Sequence, residues 1–451
     1  MKYLKIILFL IVSLFIMGQT RVHRVSGVST SNINYITGVA KSNIAKIGGI
    51  QISKEDTWGP TNATLTLLDT ANEVSAYHNP YAIAIDMSNK IISMYTDGSG
   101  DRWIETFAIE GDTIGPQLDS WEISYDVDVG NTIYYSQIFR LDSDNTERFL
   151  VSVERTGQDI DGLDEDETIM ELFTCTIGIG GVITKSRHDS LYVDFNQTSS
   201  FDYRDFTVIQ LNDSIYCVAG ATGGGNIQYR AVKATWDTIQ YMQDEFQEAD
   251  TELAYELYGL FNNDIHTDSS AIVIVHKGNS SDGYVMHTYM SDQDTMIDAY
   301  DTWEFNATDG SFSSLAKFPN IERYFIDNIA SGTTQLGIVV SADTVSETMT
   351  KDNSNKWAFD SNGNGRNDVL YIQNSDSLLL ECHYYTNNLY TDILQYTPTT
   401  GDTLIETFAD ADTLNKDTSL NMPNIIYLRS GQFVLITGDA TGGTKILYEM
   451  D

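Results

Sequence analysis

The chain has 451 residues, 41% of them apolar, with only six prolines, a composition that argues against a disordered or low-complexity protein. Asp and Glu (64) far outnumber Lys and Arg (26), and the formal net charge of -38 would repel a phosphate backbone or an anionic membrane, which sets nucleic acid aside as a partner. Cys175, Cys217 and Cys382 are too few and too scattered for a disulfide framework. Each lies in an apolar, strand-like run where a small buried thiol is expected.

The first residues, MKYLKIILFLIVSLFIMGQT, place Lys2 and Lys5 ahead of an apolar stretch from Ile6 to Met17, with Gly18 and polar residues beyond. That is the layout of a signal peptide over residues 1–19, or of a short signal anchor. The stretch is shorter than the ~20 apolar residues that a spanning helix needs. No later segment is apolar enough to span, so no stable membrane span is expected once the signal is removed.

Residues 20–52 carry an eleven-residue repeat: Val22-HRVSGVSTSN, Ile33-NYITGVAKSN and Ile44-AKIGGIQIS. One glycine per period (Gly27, Gly38, Gly49) argues for short strand-turn units rather than a helix. The stretch resembles the IxxIxGVxxxN runs near the N-termini of bacteriophage tail, fibre and other surface proteins. The resemblance implies a virion or cell-surface setting, and the strap is a plausible route to a homo-oligomer or a virion partner.

From residue 53 to 451 a longer unit recurs as strand, tight polar turn, strand, glycine-rich turn, strand. Clear copies are 79–123, 204–246, 367–408 and 422–451, and weaker ones are 136–156, 256–290 and 322–344. Start-to-start spacings of roughly 45 to 70 residues lie in or above the range of propeller blades. GDTI (111–114), WDTI (236–239), QDTM (293–296) and GDTL (401–404) mark the turn from third to fourth strand, where Asp and Thr supply local hydrogen bonds. The fold class expected is all-β, a single propeller of about seven four-stranded blades. The last unit stops after its third strand, leaving an unpaired edge, and residues 62–70 (NATLTLLDT) match the missing outer strand. An N-terminal strand therefore completes the final blade.

By this pattern the region resembles the degenerate BNR-like or kelch-like propellers of phage structural proteins and secreted bacterial surface proteins. The aspartate-box turn of sialidase-type propellers is incomplete here. TDGSGDRW places Trp103 three after Gly100 but has Gly98 where an Asp belongs, which counts against sialidase chemistry.

The sharpest local signal is Asp360-Ser-Asn362-Gly-Asn364-Gly365-Arg366-Asn-Asp368. Oxygen side chains at alternate places around a glycine suit Ca²⁺, with Asp360, Asn362, Asn364 and Asp368 as ligands and the Arg366 carbonyl as a backbone ligand. The loop resembles the DxDxNGxxD calcium loops of surface proteins, although Tyr371 stands where an EF-hand has its bidentate Glu. The acidic runs Asp142/Asp144 and Asp159/Asp161/Asp164/Asp166 read as solvated loops. His276 and His287 flank the turn KGNSSDGY and His383 follows Cys382, with no metal-ligand spacing such as HExxH.

Second-to-third turns (Tyr95–Asp101, Thr222–Asn226, Asn279–Gly283, Asp439–Gly443) and interblade connections should share one face. Tyr95, Trp103, Tyr203 and Tyr284 near it have rings able to stack on sugars. The functional expectation is a secreted, cell-surface or virion-surface binding protein that recognises a glycan or a protein, more a binder than an enzyme. A glycan hydrolase or lyase on the same scaffold and a purely structural virion component are the alternatives.

Overall fold

In a computed structural model of the chain, the described residues are three short hairpins between residues 24 and 51 and, from residue 65 to 450, the strands named below with their adjoining turns. Residues 1–19, where a signal is expected, lie outside them. Each hairpin corresponds to one copy of the eleven-residue repeat: Arg24–Val25 pairs with Val28–Ser29, Tyr35–Ile36 with Val39–Ala40, and Lys46–Ile47 with Ile50–Gln51. In sequence, two residues separate the paired strands of each copy, and the repeated glycine is the second of them.

The remaining strands form seven antiparallel sheets arranged as the blades of a propeller. Blade 1 holds His78–Ile85, Lys90–Thr96, Arg102–Glu110 and Thr113–Glu122, and blade 2 holds Ser136–Arg140, Arg148–Thr156, Thr168–Ile177 and Ser190–Gln197. Blade 3 holds Phe206–Gln210, Ile215–Ala221, Ile227–Thr235 and Thr238–Tyr241, and blade 4 holds Leu257–Asn262, Ser270–Lys277, Gly283–Met290 and Asp301–Asn306. Blade 5 holds Ser314–Lys317, Arg323–Ala330, Thr334–Asp343 and Lys356–Asp360, and blade 6 holds Asn367–Tyr371, Leu378–Tyr385, Asn388–Thr397 and Thr403–Asn415. Blade 7 consists of Asn424–Tyr427, Gln432–Gly438 and Gly443–Met450, and its outer strand is Leu65–Asn72 from the other end of the chain.

Seven hydrophobic clusters fill the seven seams, one between each pair of neighbouring blades. Because every sheet is packed on both faces, inner strands read as near-continuous apolar runs such as Ala271-Ile-Val-Ile-Val275 rather than as alternating ones. Cys175 and Cys217 are buried among these clusters, and burial pushes both thiols up to about 12.

Polar latches cross the seams as well. Near the rim, an aspartate at the outer strand of one blade accepts the backbone N–H of an aliphatic residue at the start of the next blade's outer turn or strand. Asp69 Oδ2 takes Ile114 N at 2.7 Å, Asp119 Oδ2 takes Ile183 N at 2.9 Å, Asp189 Oδ2 takes Ile239 N at 2.7 Å, and Asp301 Oδ2 takes Met349 N at 2.6 Å. Ile114 and Ile239 are the residues that follow Asp-Thr in GDTI and WDTI, so that motif presents the N–H its neighbour captures. The QDTM copy lies outside the described residues. Near the axis, Gln137 Oε1 accepts Val208 N at 2.7 Å, Asp368 Oδ2 accepts Ile425 N at 2.9 Å, and Asn424 Oδ1 accepts Ala82 N at 2.9 Å. Part of the acidic composition is thus spent on joining blades.

Closure follows the expectation from sequence. Leu65–Asn72 pairs antiparallel with Gly443–Met450, from Leu65 opposite Met450 to Asn72 opposite Thr444. Tyr77, just before blade 1, is packed against Gly438 and Gly443 at the strand ends of blade 7. A Cβ at Gly438 would collide with the Tyr77 carbonyl oxygen, and one at Gly443 would come within 2.6 Å of its ring, so both positions need glycine. The weaker sequence units are fragments of blades 2, 4 and 5. The unit at 322–344 omits the inner strand Ser314–Lys317, which is only four residues long.

Candidate functional site

The second-to-third turns and the interblade connections do fall at the same end of the strands. The connection carrying the calcium expectation joins Lys356–Asp360 to Asn367–Tyr371. Residues 361–366, and with them Asn362, Asn364 and Arg366, lie outside the described residues, as does Tyr203. Asp360 ends a described strand and is opposite Gln335. Asp368 is buried and points toward blade 7, where Oδ2 accepts Ile425 N at 2.9 Å and Asn424 Nδ2 at 3.3 Å, while Oδ1 accepts Val369 N at 3.0 Å.

Tyr95 and Trp103 are cross-strand partners flanking the 97–101 turn of blade 1. The turn is built around Asp97, whose Oδ1 accepts Ser99 N at 2.8 Å and Asp101 N at 3.0 Å, and whose Oδ2 accepts Trp103 Nε1 at 3.1 Å. Gly100 takes a left-handed φ of 90° there. Tyr95 stacks on the buried Tyr77 at 4.0 Å, so the half-buried rings of Tyr95 and Trp103 are both held in fixed orientations. Tyr284 belongs to blade 4, away from this pair, and stacks on the buried His276 at 5.3 Å. His276 and His287 do not face each other: their partners across the hairpin are Tyr284 and Val273.

The most concentrated chemistry is in the seam between blades 5 and 6. On the second and third strands of blade 6, Glu381 and His383 are two apart and so project to one side, and Asp392 is directly opposite Glu381. His383 Nδ1 is 2.9 Å from Glu381 Oε2 and 3.7 Å from Asp392 Oδ2, and its ring stacks on Tyr390 at 5.3 Å. One ligand atom from each of Glu381, His383 and Asp392 lies within 4.8 Å of the others. From blade 5, Asp327 faces the same seam and accepts Gln335 Nε2 at 2.5 Å. Burial first, and the Glu381 carboxylate second, raise Asp327 well above the usual carboxylate range. Glu381, His383, Asp392, Asp327 and Gln335 are all 0% exposed.

Asn367, the first residue of the inner strand, is opposite His383 and on the same face of the sheet. It is 1% exposed, and neither its side-chain oxygen nor its nitrogen has a hydrogen-bond partner among the described residues. Ser314 Oγ and Gln335 Oε1, from blade 5, are likewise buried without a partner. Below this polar layer the seam is apolar, lined by Phe325, Val339, Leu379 and Leu394.

This cluster escapes a reading of linear spacing because its members come from five strands of two blades. The signal available in the sequence is Glu-x-His at 381–383 inside a strand, an i, i+2 pair that period-two geometry must place side by side.

No known family pattern matches the chain, and no curated protein does. Several solved structures are similar at low identity. BBS1N, crystallised in complex with ARL6DN, superposes with a TM-score of 0.48 at 7% identity over 86% of this chain and 97% of that one. Extracellular domains 1-2 of Drosophila Semaphorin 1b give 0.46 at 7% identity over 86% and 88%. AofleA from Arthrobotrys oligospora gives 0.43 at 6% identity over 78% and 92%. The assignment of the fold rests on the strand pairing itself.

Proposed function

We propose that this chain is an exported, non-enzymatic binding protein that recognises a glycan or a protein surface. The face used is the one that carries the second-to-third turns. The observation that supports this reading is the Tyr95/Trp103 pair, whose rings are fixed by Tyr77 and Asp97 at the edge of that face. Aromatic rings held in advance give large contact area at little entropic cost, and an indole beside a carboxylate suits sugar stacking with a hydrogen bond at its rim. The groups best suited to acid–base work, in the seam of blades 5 and 6, are closed off from solvent, which favours binding over turnover. A net charge of -38 favours a neutral or cationic partner, or a calcium-bridged glycan. In the same reading, Asp360, Asn362, Asn364, Asp368 and the Arg366 carbonyl hold one Ca²⁺, with the hydrogen bonds from blade 7 to Asp368 anchoring the end of the loop.

The test is a glycan and surface-protein binding panel with the full chain and with Trp103→Ala and Tyr95→Ala. Saturable binding that both variants lose, with unchanged melting, supports the reading. Release of shortened glycan products would replace it with a hydrolase or lyase. Self-assembly without ligand binding would replace it with a structural role.

A further inference from the structure

We infer that the seam between blades 5 and 6 is a structural site for one divalent first-row transition ion, liganded by Glu381, His383 and Asp392, with the Asn367 amide oxygen completing the set. Two observations carry it.

First, the ligand atoms of the three titratable residues already converge within 4.8 Å, on the paired strands of one rigid hairpin. Second, Asn367 projects into the same space from the neighbouring strand with its amide unsatisfied and 1% exposed. Buried amides are nearly always hydrogen-bonded, and one left bare beside a His-carboxylate group is accounted for by a ligand. A divalent ion at this point would take both carboxylates ionised and His383 as a neutral ring.

The ligand chemistry selects the class of metal. One imidazole nitrogen with two carboxylates and an amide oxygen is a mixed N/O set of four, which suits zinc or manganese better than calcium, a hard ion that takes six to eight oxygens. The absence of any solvent-exposed member marks a closed, structural site rather than a catalytic one. Asp327 and Gln335, across the seam, would then orient Glu381 from outside the coordination sphere, so the ion would tie blade 6 to blade 5.

The test uses the full chain purified without chelator or affinity metal. Elemental analysis after gel filtration should find about one zinc or manganese per chain. Prolonged chelation should remove it and lower the melting temperature, and added zinc should restore both. His383→Gln, shown by circular dichroism to retain its β structure, should carry no metal and melt without regard to chelator. If His383→Gln does not fold, X-ray absorption on the zinc-loaded wild type decides the point, since one imidazole nitrogen among oxygen ligands is required. A wild-type chain that holds no metal and whose melting ignores zinc, manganese and chelator alike overturns the inference, leaving protons alone to balance the seam. Full zinc retention by folded His383→Gln overturns it too, as does a response to calcium only that Asp360→Ala abolishes.

Discussion

Lys445 Nζ and Glu105 Oε1 are 2.8 Å apart across the seam that joins blade 7 to blade 1, each side chain only 3% exposed. Tyr77 donates to the same Glu105 oxygen at 2.7 Å, and Gln117 Nε2 donates to the other at 3.2 Å. The ring is thus closed by a buried charge pair as well as by a strand. Removing one partner leaves an uncompensated buried charge, whereas removing both does not. Lys445→Met should therefore cost about 3–5 kcal/mol, and Lys445→Met with Glu105→Gln distinctly less than the two single costs added. Denaturant unfolding of the four forms checks this, and strictly additive costs would mean that the pair is not coupled.

The rim latches lead to a second expectation. Asp189 accepts Ile239 N across the seam of blades 2 and 3, so Asp189→Ala orphans a backbone donor and should lose about 1–3 kcal/mol. Asp189→Asn keeps an acceptor and should lose less. Equal melting temperatures for the two variants would show that the latch contributes nothing.

Deleting residues through 72 removes the outer strand of blade 7 and bares the edge of Gly443–Met450. Such an edge templates pairing with other chains, so this truncation should aggregate while removal of residues 1–52 should not. Light scattering on both purified forms is the measurement, and a monodisperse long truncation would contradict the closure.

Burial holds the His276 imidazole down to about 4, so the folded protein keeps it neutral where the unfolded chain, near 6.5, takes up a proton. A depressed base contributes nothing above pH 6.5. Stability falls as pH drops through the window from 6.5 to about 4, by roughly 3 kcal/mol in all. His276→Phe, which can keep the stack on Tyr284, should lose less stability between pH 7 and pH 4.5 than the wild type. Parallel pH profiles would refute this assignment.

Calcium is a separate matter from the seam. Binding at the 360–366 loop should raise the melting temperature by mass action, and Asp360→Ala should abolish that rise. An identical calcium response from both proteins would leave the loop as a turn.

Much of the architecture was legible because blades are local: alternating strands, Asp-Thr turns and glycine hairpins recur within a few tens of residues. The closing strand could be read because GDTLIETF and NATLTLLDT share an outer-strand pattern. The inner strand Ser314–Lys317 was missed because four residues do not establish a period. The sequence offers Asp368 as an ion ligand, and nothing in its own loop hints that its oxygens also accept hydrogen bonds from blade 7, since Ile425 lies far along the chain. The seam of Asp327, Glu381, His383 and Asp392 was hidden for the same reason. Its members meet only when one blade is laid against the next, and that contact leaves no mark in linear spacing.

The pairing of Asn72 with Thr444 also sets a timetable for synthesis. The two residues are 372 positions apart, and Thr444 Oγ1 reaches Asn72 Oδ1 at 3.2 Å only in the finished ring. At ~5–20 residues per second, Leu65–Asn72 waits on the order of 20 to 70 seconds for its partner after it is made. During that interval Leu65–Asn72 is an unclaimed strand, in need of a chaperone or of delay until the chain is released. A circular permutant with Leu65–Asn72 placed after Met450 would shorten the wait to the length of one hairpin, and it should refold faster than the natural order of strands.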